Sequence, residues 1–168
     1  MPGADERVAA AAAAAGLRIS IQRFPEGTRT AEDAARAVGC EVAQIVKSLV
    51  FVADGRPVLA LISGDDRLDP ARLASILGAQ RVERADSDAV RDATGFAIGG
   101  VPPIGHARPL PILMDRRLLK HAEVWAAAGR PDAVFSVAPE ELRRASWAPL
   151  ARSRRRALRR VAIAYSRP

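Results

Sequence analysis

Residues 45–62 read IVKSLVFVADGRPVLALI, and this stretch decides the fold. Ser48–Ala53 and Pro57–Ile62 are apolar runs, and only Asp54-Gly55 and Arg56 lie between them. Asp-Gly between two such runs is a strong short-range signal for a β-hairpin, because a two-residue turn needs positive φ that these residues tolerate. An antiparallel strand pair therefore sits at the centre of the chain. Working outward, Asp69-Pro70 supplies a cap and a first-turn proline for a helix running through Leu77 to Gly78. A strand near Gln80–Glu83 and a helix over Ser87–Ala93 follow, and then Gly95–His106 shows no repeating period. Leu110–Met114, Val124–Ala127 and Val134–Val137 read as strands, and Pro139 opens a helix containing Glu140, Glu141 and Leu142.

On the other side of the hairpin, residues 4–16 form an alanine-rich helix ended by Gly16. Leu17–Phe24 alternates apolar and polar residues with the period of a half-buried strand. Thr30 and Asp33 have the spacing of a capping box for a helix that stops at Gly39. Irregular alternation of strands and helices around a hairpin predicts an α/β (mixed α+β) domain, a mixed sheet with helices packed around it.

At 168 residues the chain suits one domain with a core of its own. One cysteine, Cys40, excludes an internal disulfide and reads as a small buried residue, and neither a CxxC nor a zinc-spaced Cys/His cluster occurs, so no metal or cofactor is expected. A reducing, cytoplasmic setting is expected. The Ala9–Ala15 run follows Asp5 and Glu6 and lacks the bulk of a signal sequence, so it reads as a retained helix. No run of 18 apolar residues suggests a membrane span. The net charge of +7 is concentrated at one end: residues 152–168 carry seven arginines and no acid, leaving 1–151 balanced at 19 basic and 19 acidic residues. Such a block, including Arg152, Arg154, Arg155 and Arg156, reads either as a phosphate-contacting tail or as a solvated end.

Of 26 basic residues only Lys47 and Lys120 are lysine. Lys47 lies between Ile45-Val46 and Leu49-Val50, where burying an unpaired ammonium is costly, so it must reach water, a carboxylate or a ligand. It is equally readable as an edge-strand lysine that discourages aggregation. Lys120 reads as a surface residue. Gly99–Gly105 holds three glycines and two prolines, a composition that builds a rigid loop with amides exposed at chosen points, or a structural turn. His106 follows it, His121 lies in the next element, and neither belongs to a nucleophile or zinc motif. Asp65-Asp66 and Asp69 lack the rest of a calcium loop and read as a polar turn with a helix cap.

Taken together, TAEDAARAVGCEVAQIVKSLVF (30–51), GFAIGGVPPIGH (95–106), ILMD (112–115) and AAGRPDAVFSVAPEEL (127–142) resemble the YbaK/EbsC family of free-standing aminoacyl-tRNA editing proteins, similar to the editing domain of bacterial prolyl-tRNA synthetases. The resemblance covers 17–150, placing an editing domain at 1–151 and the arginine-rich tail at 152–168. It implies a mixed, largely antiparallel sheet and hydrolysis, in trans, of the ester joining a wrong small amino acid to a tRNA. The alternative is a non-catalytic module of the same fold that binds a tRNA end, a nucleotide or a protein. Lys47 matches the family's lysine for the terminal adenosine, and Gly99–Pro103 matches a Gly-x-x-x-Pro loop whose backbone holds the aminoacyl group. The site so implied has Lys47, Gly99 and Gly100 at the reacting group. Phe24, Ser48, Val101, Pro102, Pro103, Gly105 and His106 would surround the substrate. The arginine tail lies outside the resemblance, and its charge alone gives the expectation that it adds tRNA affinity. Proton transfer is implied to fall to a substrate hydroxyl and water. The mischarged acceptor end is the implied partner, with a synthetase as an escort. Ile104 stands where phenylalanine is common in the family, and no aspartate occurs at Val134–Ser136, which argues against a cysteine-specific member.

Overall fold

The computed structural model describes residues 1–146 and the backbone of Leu150–Ala151; the arginine tail lies outside the described residues. Its elements are α1 (Ala4–Ala14), β1 (Ile21–Arg23), α2 (Ala31–Val38), β2 (Ile45–Ala53), β3 (Arg56–Ser63), α3 (Pro70–Leu77), β4 (Val82–Arg84), α4 (Ser87–Thr94), β5 (Ile112–Asp115), β6 (Val124–Ala127), β7 (Ala133–Val137), α5 (Pro139–Ser146) and β8 (Leu150–Ala151). Short 3-10 turns lie at Val42–Gln44 and Arg116–Lys120.

The hairpin forms where the sequence places it, with Asp54 at φ 47° and Gly55 at φ 81°. Positive φ at both turn residues matches the twist of the flanking strands. The Asp54 carboxylate also accepts hydrogen bonds from the Gln80 and Arg81 amides, tying the hairpin tip to the start of β4. The sheet runs β1-β7-β6-β2-β3-β5-β8, and β4 pairs with β2 off this path. β1–β7, β2–β3, β2–β4 and β6–β7 are antiparallel, while β2–β6, β3–β5 and β5–β8 are parallel. The mixed, mostly antiparallel sheet is as expected.

Side chains leave the strands alternately, so one sheet has two buried faces. Val46 and Val50, Leu59 and Leu61, Val124 and Ala126, and Phe135 and Val137 pack on one face against α1, α4 and α5. Phe51, Val58, Ala60 and Ile62 pack on the other against Leu73 and Ile76 of α3. Ile45, Trp125 and Val134 continue that second face under α2, against Ala34 and Ala35. Fully burying a leucine or phenylalanine contributes about 1.5–3 kcal/mol, so Leu59, Leu61 and Phe135 hold the layers together.

Three expectations are corrected. The strand read over Leu17–Phe24 pairs only at Ile21–Arg23, opposite Ala133–Phe135 of β7; Leu17 and Ile19 pack on the core without a ladder. Cys40 is half-buried, and burial together with Glu123 and Glu41 pushes its thiol pKa up, away from a reactive thiolate. Asp66 is not part of a solvated turn; it is buried and ion-paired. Lys120 is exposed at the end of its 3-10 turn. Among the described residues no helix is long and apolar enough to cross a membrane.

Candidate functional site

β2 is paired with β3 over Val46–Ala53, but among the described residues its other edge is covered only at the ends. β6 pairs with Ile45 and Val46, and β4 with Phe51–Ala53. Between them the sheet splits along Lys47–Leu49. A cavity of about 300 Å³ opens at this split, with Val46, Ser48 and Val50 of β2 in its lining. Trp125–Ala127 of β6 with Ala133 and Val134 of β7 form one side, and Arg84, Ala85 and Val90 the other. Ile98, Gly99 and Val101 close it from the loop, and Thr28–Ala31 before α2 complete the rim.

Lys47 also lines this cavity. Its side chain is half-buried, and Nζ donates to the backbone carbonyl of Asp66. The Asp66 turn is fixed from three directions. Its amide donates to the Ser63 carbonyl at 3.0 Å, and its carboxylate accepts from Arg117 Nη1 at 2.7 Å. Ser63 Oγ in turn donates to the Ala43 carbonyl at 2.7 Å. Burial pulls the Lys47 pKa below the usual lysine value, while the carboxylates of Asp66 and Glu32 oppose that shift. The sequence gives no sign of the Arg117–Asp66 pair, which joins residues 51 apart.

The loop is rigid for reasons visible in its packing. Gly99 has φ 89°, a conformation that favours glycine. Gly100 passes so close to the next loop that a Cβ there would lie 2.9 Å from the Arg130 backbone and the Gly129 carbonyl. His106 Nε2 donates to the Pro102 carbonyl at 2.7 Å, clasping the proline turn from inside. Burial holds the His106 pKa down, against a smaller upward effect of that hydrogen bond. Val101–Ile104 are buried, and Ile104 packs in the main core away from the cavity. Among the described residues the Gly100 amide is bonded to the Ala97 carbonyl, whereas the amides of Gly99 and Val101 have no hydrogen-bond partner.

Of the residues singled out in the sequence, Lys47, Ser48, Gly99 and Val101 therefore come together on one cavity. Gly100, Pro102, Pro103, Gly105 and His106 lie outside its lining and shape the loop behind it. Phe24 lines a separate groove with Pro25, Glu26 and Gly27, and packs against the cluster under α2. Arg152, Arg154, Arg155 and Arg156 fall outside the described residues. Sequence reading did not find Arg29, Arg84, Arg130 or Trp125, whose positions depend on which strands neighbour β2.

The lining is electropositive: it includes Lys47, Arg29, Arg84 and Arg130 and, among the described residues, no aspartate or glutamate. Arg84 lies over the Phe51 ring at 5.6 Å, and Arg130 pairs with Asp132 at 2.9 Å. No histidine or cysteine among the described residues lines it either. Its hydroxyls are those of Thr28, Thr30 and Ser48. Thr28 donates to the Pro131 carbonyl, and Thr30 caps α2 through the Asp33 amide. Ile98, on the lip, is 52% exposed. The arrangement suits an anionic ligand with a small apolar group, held by donors and not attacked by a protein nucleophile.

Residues 25–145 match the aminoacyl-tRNA editing domain family, and the chain belongs to it. Relatives include the proline–tRNA ligase of Citrifermentans bemidjiense, 40% identical over 92 residues, which are 55% of this chain and 16% of the ligase. The ligase of Acidithiobacillus ferrooxidans is 36% identical over 106 residues, covering 63% of this chain and 19% of the ligase. The chain thus spans about a fifth or less of these ligases' length. Among solved structures, one provisionally described as a trans-editing enzyme for prolyl tRNA synthetase is 44% identical with a TM-score of 0.85, covering 90% of this chain and 97% of that one. A hypothetical protein, APE2540, is 31% identical with a TM-score of 0.81, over 88% and 98% of the two chains. The resemblance read from the motifs is the family the comparisons show.

Proposed function

We propose that the chain is an aminoacyl-tRNA deacylase acting in trans on a tRNA carrying a wrong, small amino acid. The observation that carries this reading is the meeting of Lys47 with Gly99 and Val101 on one electropositive cavity, in a chain of the editing family. The volume of about 300 Å³ is at the low end for ligand sites, about 300–1,000 Å³, and favours a small side chain beside the terminal ribose. Lys47, held by the Asp66 carbonyl, anchors the terminal adenosine, and the exposed Ile98 offers an apolar surface beside it. Water adds to the ester carbonyl carbon, and the developing oxyanion is met by the Gly99 and Val101 amides. Collapse breaks the bond to the ribose oxygen, which takes a proton delivered through a neighbouring substrate hydroxyl and water. The products are the free amino acid and the tRNA with its hydroxyl restored. With no carboxylate or histidine among the described lining residues, rate acceleration rests on positioning and oxyanion stabilisation. The protein works in the cytoplasm, with a synthetase as escort, and the tail arginines Arg152, Arg154, Arg155 and Arg156 add affinity for the tRNA backbone.

The test is hydrolysis of tRNAs charged with alanine, serine, threonine or cysteine where these do not belong. Turnover of at least one by catalytic amounts of protein is expected; folded protein that turns over none contradicts the reading. The same lack of acid and base on the lining favours, as a second reading, a module that binds the tRNA end without hydrolysing it. Tight binding of charged tRNA with no release of amino acid would select it. Removing residues 152–168 should weaken tRNA binding and flatten its salt dependence; identical salt slopes would mark the tail as passive.

A further inference from the structure

The split in the sheet leaves polar groups of β2 without partners among the described residues. In an antiparallel ladder the N–H and C=O of one residue point to the same edge, and successive residues alternate. The Val50 carbonyl accepts from the Ala85 amide, on the edge away from β3. Ser48, two residues earlier, therefore turns its own N–H and C=O to that edge, where the β6 pairing has ended at Val46 and the β4 pairing begins at Phe51. The Ser48 side chain adds a second observation: Oγ is buried and has no hydrogen-bond partner among the described residues. Around it the lining is apolar, with Val46, Val50, Val90 and Val101. A buried hydroxyl and a strand carbonyl left open on one cavity are costly unless a ligand completes them.

The chemistry of an aminoacyl ester says which part of it does so. Its carbonyl oxygen needs donors, which Gly99 and Val101 offer. Its α-ammonium has donors alone, and needs acceptors. We infer that the Ser48 carbonyl and Oγ receive the α-ammonium of the substrate in the gap between β4 and β6, so that the site selects esters with a free amine. This rests on the deacylase reading for its substrate class.

Binding of a non-hydrolysable mimic tests it apart from turnover. The probes are 3′-deoxy-3′-alanylaminoadenosine, in which an amide replaces the ester, and its N-acetylated form, titrated by calorimetry. N-acetylation should weaken binding to the native protein about 10- to 100-fold, the range for a hydrogen bond to a charged group. In Ser48→Ala the difference should shrink to a few-fold, because the carbonyl remains, and Ser48→Thr should restore it. The melting temperature of Ser48→Ala should match or exceed that of the native protein, since an unpartnered hydroxyl has been removed. Equal affinity for the two probes, no binding of either, or an unchanged ratio in Ser48→Ala overturns the assignment. Hydrolysis of mischarged tRNA alongside such a result would leave the deacylase reading standing, whereas discrimination between the probes without hydrolysis would contradict that reading and support this one.

Discussion

The two walls of the cavity are built in opposite ways. The β2 wall is held by a long ladder to β3, which fixes its backbone, and it brings Lys47 and Ser48 to the cavity lining. The Gly99–Gly105 wall has no ladder; it is held by a close approach to Gly129 and Arg130 and by the internal His106–Pro102 hydrogen bond. One wall presents side chains on a rigid strand, and the other presents backbone amides on a loop that needs glycine at positions 99 and 100. Substitution on the first should alter chemistry and spare the fold. Substitution on the second should damage both.

Gly100→Ala gives the largest expected stability effect. The added Cβ meets backbone and not a flexible side-chain end, so a loss of about 2–3 kcal/mol is expected in urea unfolding. A change under about 0.5 kcal/mol would show that the loop wall is not set by this approach. Next is Arg117→Met, which removes the guanidinium from the buried Asp66 carboxylate. About 1–2 kcal/mol should be lost, with a larger proportional fall in turnover, because the Asp66 carbonyl that holds Lys47 shifts. Equal proportional losses in Asp69→Ala, a helix cap in the same turn region, would indicate general loosening.

Thr30→Ala removes the cap of α2 beside the cavity and should cost about 1 kcal/mol by the same measurement, with little effect on either wall. The smallest effect concerns pH. Burial holds the His106 pKa below 6.5, so the neutral ring is favoured in the fold. Its contribution is full above pH 6.5 and is lost as pH falls through the depressed native value. Thermal melts of His106→Asn should show a shallower decline on the acid side than the native protein. Parallel declines would mean His106 does not titrate with folding.

The same contrast explains what could be read in the sequence. The hairpin, the Thr30 and Asp69 caps and the glycine stops at Gly39 and Gly78 are local chemistry, written within a few residues, and the structure shows each of them. The pairing of Lys47 with the Gly99 loop was legible only through the co-occurrence of motifs that resemble one family. The split along β2 was not legible, because it depends on where β4 and β6 stop, and each is only three or four residues long. Asp66 and Arg117 carry no shared motif, and Asp66 looks like any acidic turn residue until the 3-10 turn after β5 brings the arginine to it. Phe24 sat at a plausible spacing, yet β1 carries it to a different groove.

The central claim is that Lys47 on the strand wall and the amides of the loop wall act on one bound aminoacyl end. Deacylation of mischarged alanyl-tRNA by native protein and by Lys47→Ala, with melting curves for both, tests it most directly. The expected result is a fall in kcat/KM of about 100-fold or more, the scale of a lost positioning contact, with an unchanged melting temperature. Activity within twofold of the native protein in a folded Lys47→Ala variant would remove Lys47 from the site and contradict the account.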